Sequence, residues 1–501
     1  MQESSSFSGE AHGGHKSCGR RSRRALNIGV DVRGLEIESS LRRGIGRYVV
    51  NLLRALAEGW DHRLVLLGDW PPWDVRHLDP LLRFPHVSYA TYSPSFTDEV
   101  DVLLLTDPSP VLVGRKLVPF PLNGIPCATI FYDLIPLAFR EKYLDRNPKL
   151  CAEYLARLEE LQRTAAVFLT ISEFVATDLN ERLAIERSRL VPILGGLDEA
   201  FRDPPNVTDV RRTLDRLEIR SRYFFYTGGA DFRKNLAGLL LAFQAVRAQS
   251  NLDLELVLAG EISPVWLKRM EGESVIPVTA NVRPLGYVSD EDLRHLYAGA
   301  TAFVFPSLYE GFGLPALEAM ACGCPVIVSD GSSLREIVAD AGLLVNPQSV
   351  DDIAAAMKRL AEDPALSASL RERGREQAPR FSWEDVARRT ESALSAIARP
   401  ERRPKARPRR LRVLIQNRNN AFIAPGGDTL VMEELFRELR SRDVEVDVAA
   451  GKPDLRDVDV VHLVNLTVRS VAEEVAANAR SQQVPYVVTT LFEDWPLYVE
   501  R

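Results

Sequence analysis

Two carboxylates bracket a glycine-rich turn in the second half of the chain. Glu310 lies in the turn, and Glu318 lies eight residues later, in a short helix that Pro315 would begin. Gly311 and Gly313 would let a ligand approach the backbone closely, and a helix start offers unpaired N–H groups to an anion. The pattern predicts a phosphate site beside two carboxylates that can accept hydrogen bonds from hydroxyl groups. This combination suits a nucleotide sugar. The alternative is a solvated loop glutamate and a helix glutamate favoured by the helix dipole.

A second candidate cluster is basic. The segment YTGGADFRKNLAGLLLAF places a strand, a glycine pair, Arg233, Lys234 and a helix in that order. Both cations would then lie above a helix start, within reach of a diphosphate. Their charge would offset the charge that builds on a leaving nucleoside diphosphate. A solvent-facing pair in a loop is the alternative.

Two further positions carry less specific patterns. Gly44 and Gly46, in RRGIGRY, precede a helix, where they serve either a ligand contact or a tight packing turn. Asp133 follows a buried strand in ATIFYDLIPLAF and could position a sugar or an acceptor. Capping of a turn by Asp133 is equally consistent with the sequence.

Apolar strands alternate with amphipathic helices twice along the chain, and this alternation predicts parallel, doubly wound sheets. We therefore predict an α/β protein of two Rossmann-like domains that face one cleft, with ligands at the carboxyl ends of the strands. The strands expected in the first unit are residues 25–32, 64–67, 102–105, 128–131 and 167–170. Those of the second unit are residues 223–227, 254–259, 302–305 and 326–329.

The pattern of strands and linkers also predicts the domain boundaries. After the second unit, strand, glycine pair and helix recur from Leu411, which predicts the start of a third Rossmann-like unit. The expected parts are a disordered tail (1–25), a first domain (26–200), a second domain (201–380), a crossing helix (381–398), a basic, proline-rich linker (399–410) and the partial third unit (411–501). The linker could also contact anionic lipid headgroups.

Composition narrows the function classes. A net charge of −6 gives no overall field that favours nucleic acid. The five cysteines are odd in number and scattered, which argues against a disulfide framework or a zinc site and favours a reducing compartment. The chain contains neither an apolar run of the roughly 20 residues that span a bilayer nor the apolar core of a secretory signal. A cytoplasmic protein is expected.

The stretch GFGLPALEAMACGCPVI with its two glutamates resembles the E-x7-E motif of retaining GT-B glycosyltransferases, in particular glycosyltransferase family 4. The resemblance covers about residues 26–398. It implies that Glu310 contacts hydroxyls of the donor sugar and that Glu318 takes the ribose hydroxyls. The backbone N–H groups of Phe312, Gly313 and Leu314 would hold the distal phosphate.

The same resemblance assigns the remaining positions. Lys234, with Arg233 nearby, would stabilise the leaving diphosphate, and the turn at Gly44 and Gly46 would lie near the donor phosphates. Many members of the family carry His–Asp where this chain has Tyr132 and Asp133, so the usual histidine contact to the donor sugar is absent here.

The resemblance implies a metal-independent, retaining transfer of a hexose without a cofactor. Mannose from GDP-mannose is favoured as donor, UDP-sugars remain open, and the acceptor would be a hydroxyl of a growing surface polysaccharide, such as lipopolysaccharide, or of a lipid-linked glycan. Two alternatives stay open: a non-catalytic GT-B scaffold, and a GT-B epimerase or phosphorylase.

Overall fold

The structure is a computed structural model. It describes residues 25–36, 44–68, 78–92, 96–107, 116–119, 121–263, 265–267, 281–400, 411–417, 427–441, 444–464 and 469–489. The expected disordered tail, up to residue 24, and residues 401–410 of the expected linker lie outside the described residues. No helix in the described part of the chain combines the length and the apolar character that crossing a membrane requires.

The first domain is a parallel sheet in the order β3-β2-β1-β4-β5-β6-β7, wrapped by helices. Its strands are β1 Asn27–Asp31, β2 Arg63–Gly68, β3 Val87–Thr91, β4 Val102–Leu105, β5 Cys127–Phe131, β6 Val167–Thr170 and β7 Leu190–Pro192. Its helices are α1 Gly44–Gly59, α2 Asp79–Leu82, α3 Phe96–Glu99, α4 Ile135–Ala138, α5 Arg140–Tyr143, α6 Pro148–Thr164 and α7 Glu173–Leu183. The five predicted strands are confirmed, whereas β3 and β7 were not predicted.

The second domain is a six-stranded parallel sheet in the order β10-β9-β8-β11-β12-β13. Its strands are β8 Arg222–Thr227, β9 Leu254–Ala259, β10 Val282–Gly286, β11 Ala302–Phe305, β12 Val326–Ser329 and β13 Leu343–Val345. Its helices are α8 Val207–Arg216, α9 Leu236–Gln249, α10 Asp290–Gly299, α11 Leu314–Ala321, α12 Leu334–Val338, α13 Val350–Glu362 and α14 Pro364–Gln377. The four predicted strands are confirmed, and β10 and β13 at the two edges were not predicted.

Helix α15, Trp383–Ile397, returns from the second domain to the first, as expected for a crossing helix. The N–H of Leu197 donates to the carbonyl of Phe381 at 2.8 Å. The rings of Tyr48 and Trp383 meet edge to face with centroids 5.0 Å apart. The apolar residues of both domains and of α15 form one continuous core, so the two domains pack as a unit.

Arg399 corrects the predicted start of the linker. It is only 8% exposed, and its guanidinium donates to main-chain carbonyls of the first domain. The acceptors include Gly124 at 2.8 Å and Leu122 at 3.2 Å. A cation with these partners belongs to the folded first domain, because its removal would leave several carbonyls unpaired.

The third unit adds four parallel strands in the order β17-β16-β14-β15. Its strands are β14 Arg412–Gln416, β15 Glu445–Gly451, β16 Val460–Val464 and β17 Tyr486–Thr489, and its helices are α16 Gly427–Ser441 and α17 Arg469–Ser481. Strand β15 pairs antiparallel with β3, Ala449 lying opposite Ala90, so the first domain and the third unit share one eleven-stranded sheet. The third unit keeps its own apolar clusters, separate from the core of the two domains.

Candidate functional site

Charged residues meet at the carboxyl ends of β8 and β11. The Nζ of Lys234 donates to Oε1 of Glu310 at 2.7 Å, and Nη1 of Arg233 lies 3.4 Å from Oε2 of the same carboxylate. Glu310 is 8% exposed, so this ion pair lies largely out of water. The structure therefore brings together three residues that the sequence predicted as one site.

The turn that carries the two cations is fixed by its flanking residues. Asp231 accepts a hydrogen bond from the N–H of Arg233 at 3.1 Å and so caps the short 3₁₀ turn Phe232–Lys234. Asn235 ends this turn at a φ of +54°, which asparagine tolerates better than most residues. Its amide donates to the carbonyls of Pro306, at 3.1 Å, and Pro347, at 2.6 Å. These bonds hold the cations over the strand ends.

The environment of Lys234 is mixed. Burial lowers the pKa of its ammonium, and neighbouring Glu310 opposes that effect. The ammonium also lies 4.7 Å from the centroid of the Phe305 ring, a favourable cation–π distance. Lys234 is thus a desolvated cation whose interactions with an incoming phosphate would be strong.

The start of α11 offers unpaired donors. Among the described residues, no acceptor takes the N–H of Phe312, Gly313 or Leu314. Gly313 has a φ of +120°, and a Cβ there would meet Leu334 Cδ2 at 2.5 Å, so only glycine fits. The hydroxyl of Ser333 donates to the carbonyl of Phe312 at 2.5 Å, which fixes the turn while leaving its N–H groups available. These N–H groups are the donors that the sequence predicted for an anion.

Gly311 has a different role from the one expected. A Cβ at this position would overlap the carbonyl oxygen of Tyr132 in the first domain. The absence of a side chain therefore lets the two domains approach each other, and the close neighbour is protein backbone rather than a ligand.

Glu318 lies inside α11, where it is 6% exposed. Its Oε2 lies 3.4 Å from the hydroxyl of Tyr297, and its Oε1 lies 3.6 Å from Nη1 of Arg47. Burial raises its pKa to about 7, and the charge of Arg47 opposes this rise. Glu318 is therefore a carboxylate that exchanges its proton near neutral pH.

Arg47 was missed at the level of sequence. It follows Gly44 and Gly46 in the first turn of α1 and reaches across the cleft from the first domain to the second. Gly46 is buried, and a Cβ on Gly44 would meet nothing within 4 Å. This glycine-containing turn therefore contributes to the site through the side chain of Arg47. The signal was available, since a cation directly follows a glycine pair at a helix start.

The Tyr132–Asp133 pair is divided between two roles. The Tyr132 hydroxyl donates to the carbonyl of Thr106 at 2.7 Å, and its ring packs against Tyr48 inside the first domain. The Asp133 carboxylate accepts the N–H of Ile135, two residues further along the chain, at 3.0 Å, and so stabilises the turn that leads into α4. Burial raises the Asp133 pKa. The charges of Arg233, Glu310 and Lys234 also act on Asp133, so it lies near the site while stabilising this turn.

Further contacts close the cleft from residues that sequence did not suggest. The Tyr309 hydroxyl donates to Oδ2 of Asp178 at 2.7 Å, and the Tyr143 hydroxyl donates to Oδ1 of Asp231 at 2.7 Å. The Glu336 carboxylate accepts the N–H groups of the first residues of α7, at 3.2 Å each. Each contact joins the two domains, so the structure is closed around the site. The described residues contain no group of three or more His, Cys, Asp or Glu arranged to hold a metal ion.

Comparison with solved structures shows the fold. The chain matches the structure of Anabaena HepE in complex with UDP and glucose, with a TM-score of 0.57 and 16% identity, over 74% of this chain and 100% of that one. It also matches sucrose-phosphate synthase from Thermosynechococcus elongatus, with a TM-score of 0.55 and 23% identity, over 74% of this chain and 99% of the other. The fold is GT-B.

Sequence comparisons agree with this fold. Residues 215–377 match the family model described as glycosyl transferases group 1. O-antigen chain mannosyltransferase B of Escherichia coli is 35% identical over 259 residues, which are 50% of this chain and 66% of that protein. The serotype-specific mannosyltransferase WbdA of Escherichia coli is 28% identical over 397 residues, which are 72% of this chain and 47% of that protein. The chain thus spans about two thirds and about half of the length of these two glycosyltransferase relatives.

Proposed function

We propose that the protein is a retaining, metal-independent glycosyltransferase that moves a hexose from a nucleotide sugar to a hydroxyl of a growing surface glycan. The observation that carries the proposal is the pairing of Lys234 with Glu310 directly beside the unpaired N–H groups of Phe312, Gly313 and Leu314. A nucleotide sugar needs a cation and N–H donors for its diphosphate and a carboxylate for its sugar hydroxyls, next to each other. Mannose from GDP-mannose is the favoured donor, because the relatives named above are mannosyltransferases.

The proposed chemistry follows from this arrangement. When the donor binds, Lys234 and Arg233 turn from Glu310 to the diphosphate, and Glu310 accepts hydroxyls of the sugar. The bond from the anomeric carbon to the diphosphate breaks while the acceptor oxygen attacks the same face. The acceptor proton passes to the departing phosphate oxygen. The two cations and the α11 N-terminus meet the negative charge that builds on the leaving group, so the scheme requires no metal.

The test is a transfer assay on the full chain with GDP-mannose and UDP-glucose as donors and an oligomannose acceptor. We expect turnover with GDP-mannose, no loss of activity in excess chelator, and an α-linked product in proton NMR spectra. A β-linked product would contradict retention. Loss of activity on chelation, restored by a divalent ion, would contradict metal independence.

A non-catalytic scaffold is the second candidate, since Tyr132 replaces the family's usual histidine and its hydroxyl is bonded to the carbonyl of Thr106 inside the first domain. A thermal-shift series with GDP, UDP and ADP separates the two, because a ligand raises the melting temperature by mass action. Stabilisation by a nucleotide without turnover of any donor would favour the scaffold.

We also propose a cytoplasmic location, with the basic segment of residues 401–410 against anionic lipid. Flotation with vesicles of phosphatidylglycerol, compared with phosphatidylcholine, tests this contact at low and high salt, since screening weakens attraction to a charged surface. Equal flotation with both lipids would contradict it.

A further inference from the structure

The contact between Arg47 and Glu318 joins the first domain to the helix that holds the predicted ribose carboxylate. Arg47 belongs to α1 of the first domain, whereas Glu318 lies within α11 of the second. The separation of 3.6 Å between Nη1 and Oε1 is that of an ion pair rather than a short hydrogen bond. Glu318 can therefore accept further hydrogen bonds, since a carboxylate offers about four lone-pair positions.

The guanidinium of Arg47 is held in place from its own side of the cleft. Its Nε donates to Oδ2 of Asp198 at 2.9 Å, and Asn51 donates to the same oxygen at 3.1 Å. The guanidinium carbon lies 5.3 Å from the centroid of the Phe201 ring. A long side chain fixed at this many points loses little further freedom when its last nitrogen engages a charge.

One nitrogen of Arg47 has capacity to spare. Nη2 is buried and donates no hydrogen bond within the described residues, although it lies 3.6 Å from Oδ2 of Asp290. A buried donor without an acceptor is costly. Its position beside Glu318 means that a polar ligand at this carboxylate would also come close to Nη2.

We propose that Arg47 is the positioning residue for Glu318, so that closure of the two domains completes the ribose side of the nucleotide site. The inference rests on the proposed function, because it concerns the same site. Arg47 favours the charged form of the buried carboxylate, which is the form that accepts the ribose hydroxyls. In an open protein Glu318 would lose this cation, and nucleotide affinity would fall with it.

The groups that face Glu318 make its charge depend on Arg47. The charged and titratable groups around it are Arg47, Asp198, Asp290, Tyr297 and Cys322. Arg47 is the cation in this set, and the two aspartates favour protonation of Glu318, as burial does. Without Arg47 the carboxyl group would therefore take up a proton at a higher pH than it does now.

The experiment measures GDP binding to the full chain by calorimetry from about pH 5.5 to about pH 8.5, a span that covers titration near neutrality. In the wild type, affinity should fall as the pH falls through about 7, where Glu318 gains its proton. In Arg47→Gln the same fall should occur at higher pH, so that affinity at neutral pH drops by about fivefold for the first unit that the midpoint moves and by about tenfold for each further unit. Arg47→Lys should restore most of the wild-type profile, and Glu318→Gln should flatten it.

Controls separate positioning from a merely structural role. Arg54→Gln, on the exposed face of the same helix, should leave the pH profile unchanged. If Arg47→Gln does not fold, Arg47→Met retains the packing on Phe201 without the charge. A loss of affinity that is equal at every pH, or an unchanged midpoint, would overturn the inference. Failure of the wild type to bind GDP, UDP or ADP would instead overturn the proposed function, and this inference with it.

Discussion

The first domain and the third unit begin with the same pattern but differ in what lies opposite them. In both, a strand at the centre of a parallel sheet leads through a glycine-containing segment into an amphipathic helix, β1 to α1 and β14 to α16. Helix α1 faces the second domain and sends Arg47 to Glu318. The described residues of the third unit, 411–417, 427–441, 444–464 and 469–489, contain no counterpart of β11, α11 and β12 with their two carboxylates.

This difference shows that one Rossmann-like unit can form a sheet, whereas the candidate site needs residues from two units that face each other. The sheet needs only apolar strands and helices, which both regions have. The site needs Lys234, Glu310 and the start of α11 from one domain and Arg47 from another. The predictions below test whether the chemistry really belongs to the first two domains alone.

Truncation gives the largest expected effect. A chain that ends after Pro400 should fold and transfer sugar, because both domains, α15 and Arg399 are complete by that point. Residues 411–501 alone should neither fold stably nor transfer, since the third unit has only two small apolar clusters of its own to support its sheet. Expression of both chains with a transfer assay checks this. An inactive shorter chain that regains activity when the tail is added would show that the third unit completes the site.

Among single substitutions, removal of the Lys234 ammonium group should have the largest effect. Lys234→Ala should lower kcat by about a hundredfold or more, on the order of 3 kcal/mol, because its charge matters most as the diphosphate leaves. Lys149→Ala, an exposed lysine of α6, is the matched control. Steady-state kinetics with the preferred donor measures the effect. If Lys234→Ala turned over like the control and the parent protein, Lys234 would have no role in the mechanism.

The two glutamates should separate turnover from binding. Glu310→Gln should mainly lower kcat, because the shape is kept while the charge facing the sugar is lost. Glu318→Ala should mainly weaken nucleotide binding, by about tenfold to a hundredfold, which is the usual range for hydrogen bonds to a charged group. Calorimetry and kinetics on the same preparations give both numbers, with Glu372→Ala on the exposed side of α14 as control. If both variants behave like the parent, the assignment of the E-x7-E pair is wrong.

The smallest effect should come from the junction between the third unit and the first domain. Arg412 pairs with Glu99 of the first domain and, at 2.9 Å, with Asp447. Arg412→Gln should loosen the third unit by about 1–3 kcal/mol, the cost of a partly buried charged hydrogen bond, with little change in kcat. Amide hydrogen exchange in β3 and β15 measures the loosening.

The control for this junction is Arg437→Gln, whose exposed pair with Glu434 should contribute almost nothing. Faster amide exchange in β3 and β15 of that control, or an unchanged exchange rate in Arg412→Gln, would contradict the role of Arg412.

The sequence predicted the strands that consist of unbroken apolar runs, such as β4 and β11. It missed β3, whose VSYAT contains polar residues, and β10, whose VRPLG contains a proline and is only partly buried. Strand β10 is a partly buried edge strand, so its composition resembles that of a loop. Strand β3 is almost entirely buried between β2 and β15, but its polar residues Ser88 and Thr91 interrupt the apolar run that marks the predicted strands.

The candidate site divides in the same way. Lys234, Glu310 and Glu318 could be predicted because local turns and a helix position each of them. Arg47 with Glu318, and Tyr309 with Asp178, could not be paired, because the partners lie more than a hundred residues apart and meet only when two domains close. Gly311 shows the same limit, since its close neighbour is the carbonyl of Tyr132 in the other domain.

The antiparallel pairing of β15 with β3 reverses the polarity of the sheet at one seam. The four strands of the third unit therefore end at the edge where β1 to β4 begin, and a crevice of about 710 Å³ at that edge is lined by residues of both parts, among them Arg63, His86, Lys452 and Arg456. The candidate site lies at the opposite edge, about one strand length or roughly 17 Å away. The eleven-stranded sheet thus has one concave surface at each of its two edges, the crevice at one and the candidate site at the other. A fluorophore attached at Lys452 would report on the crevice and leave the candidate site unobstructed.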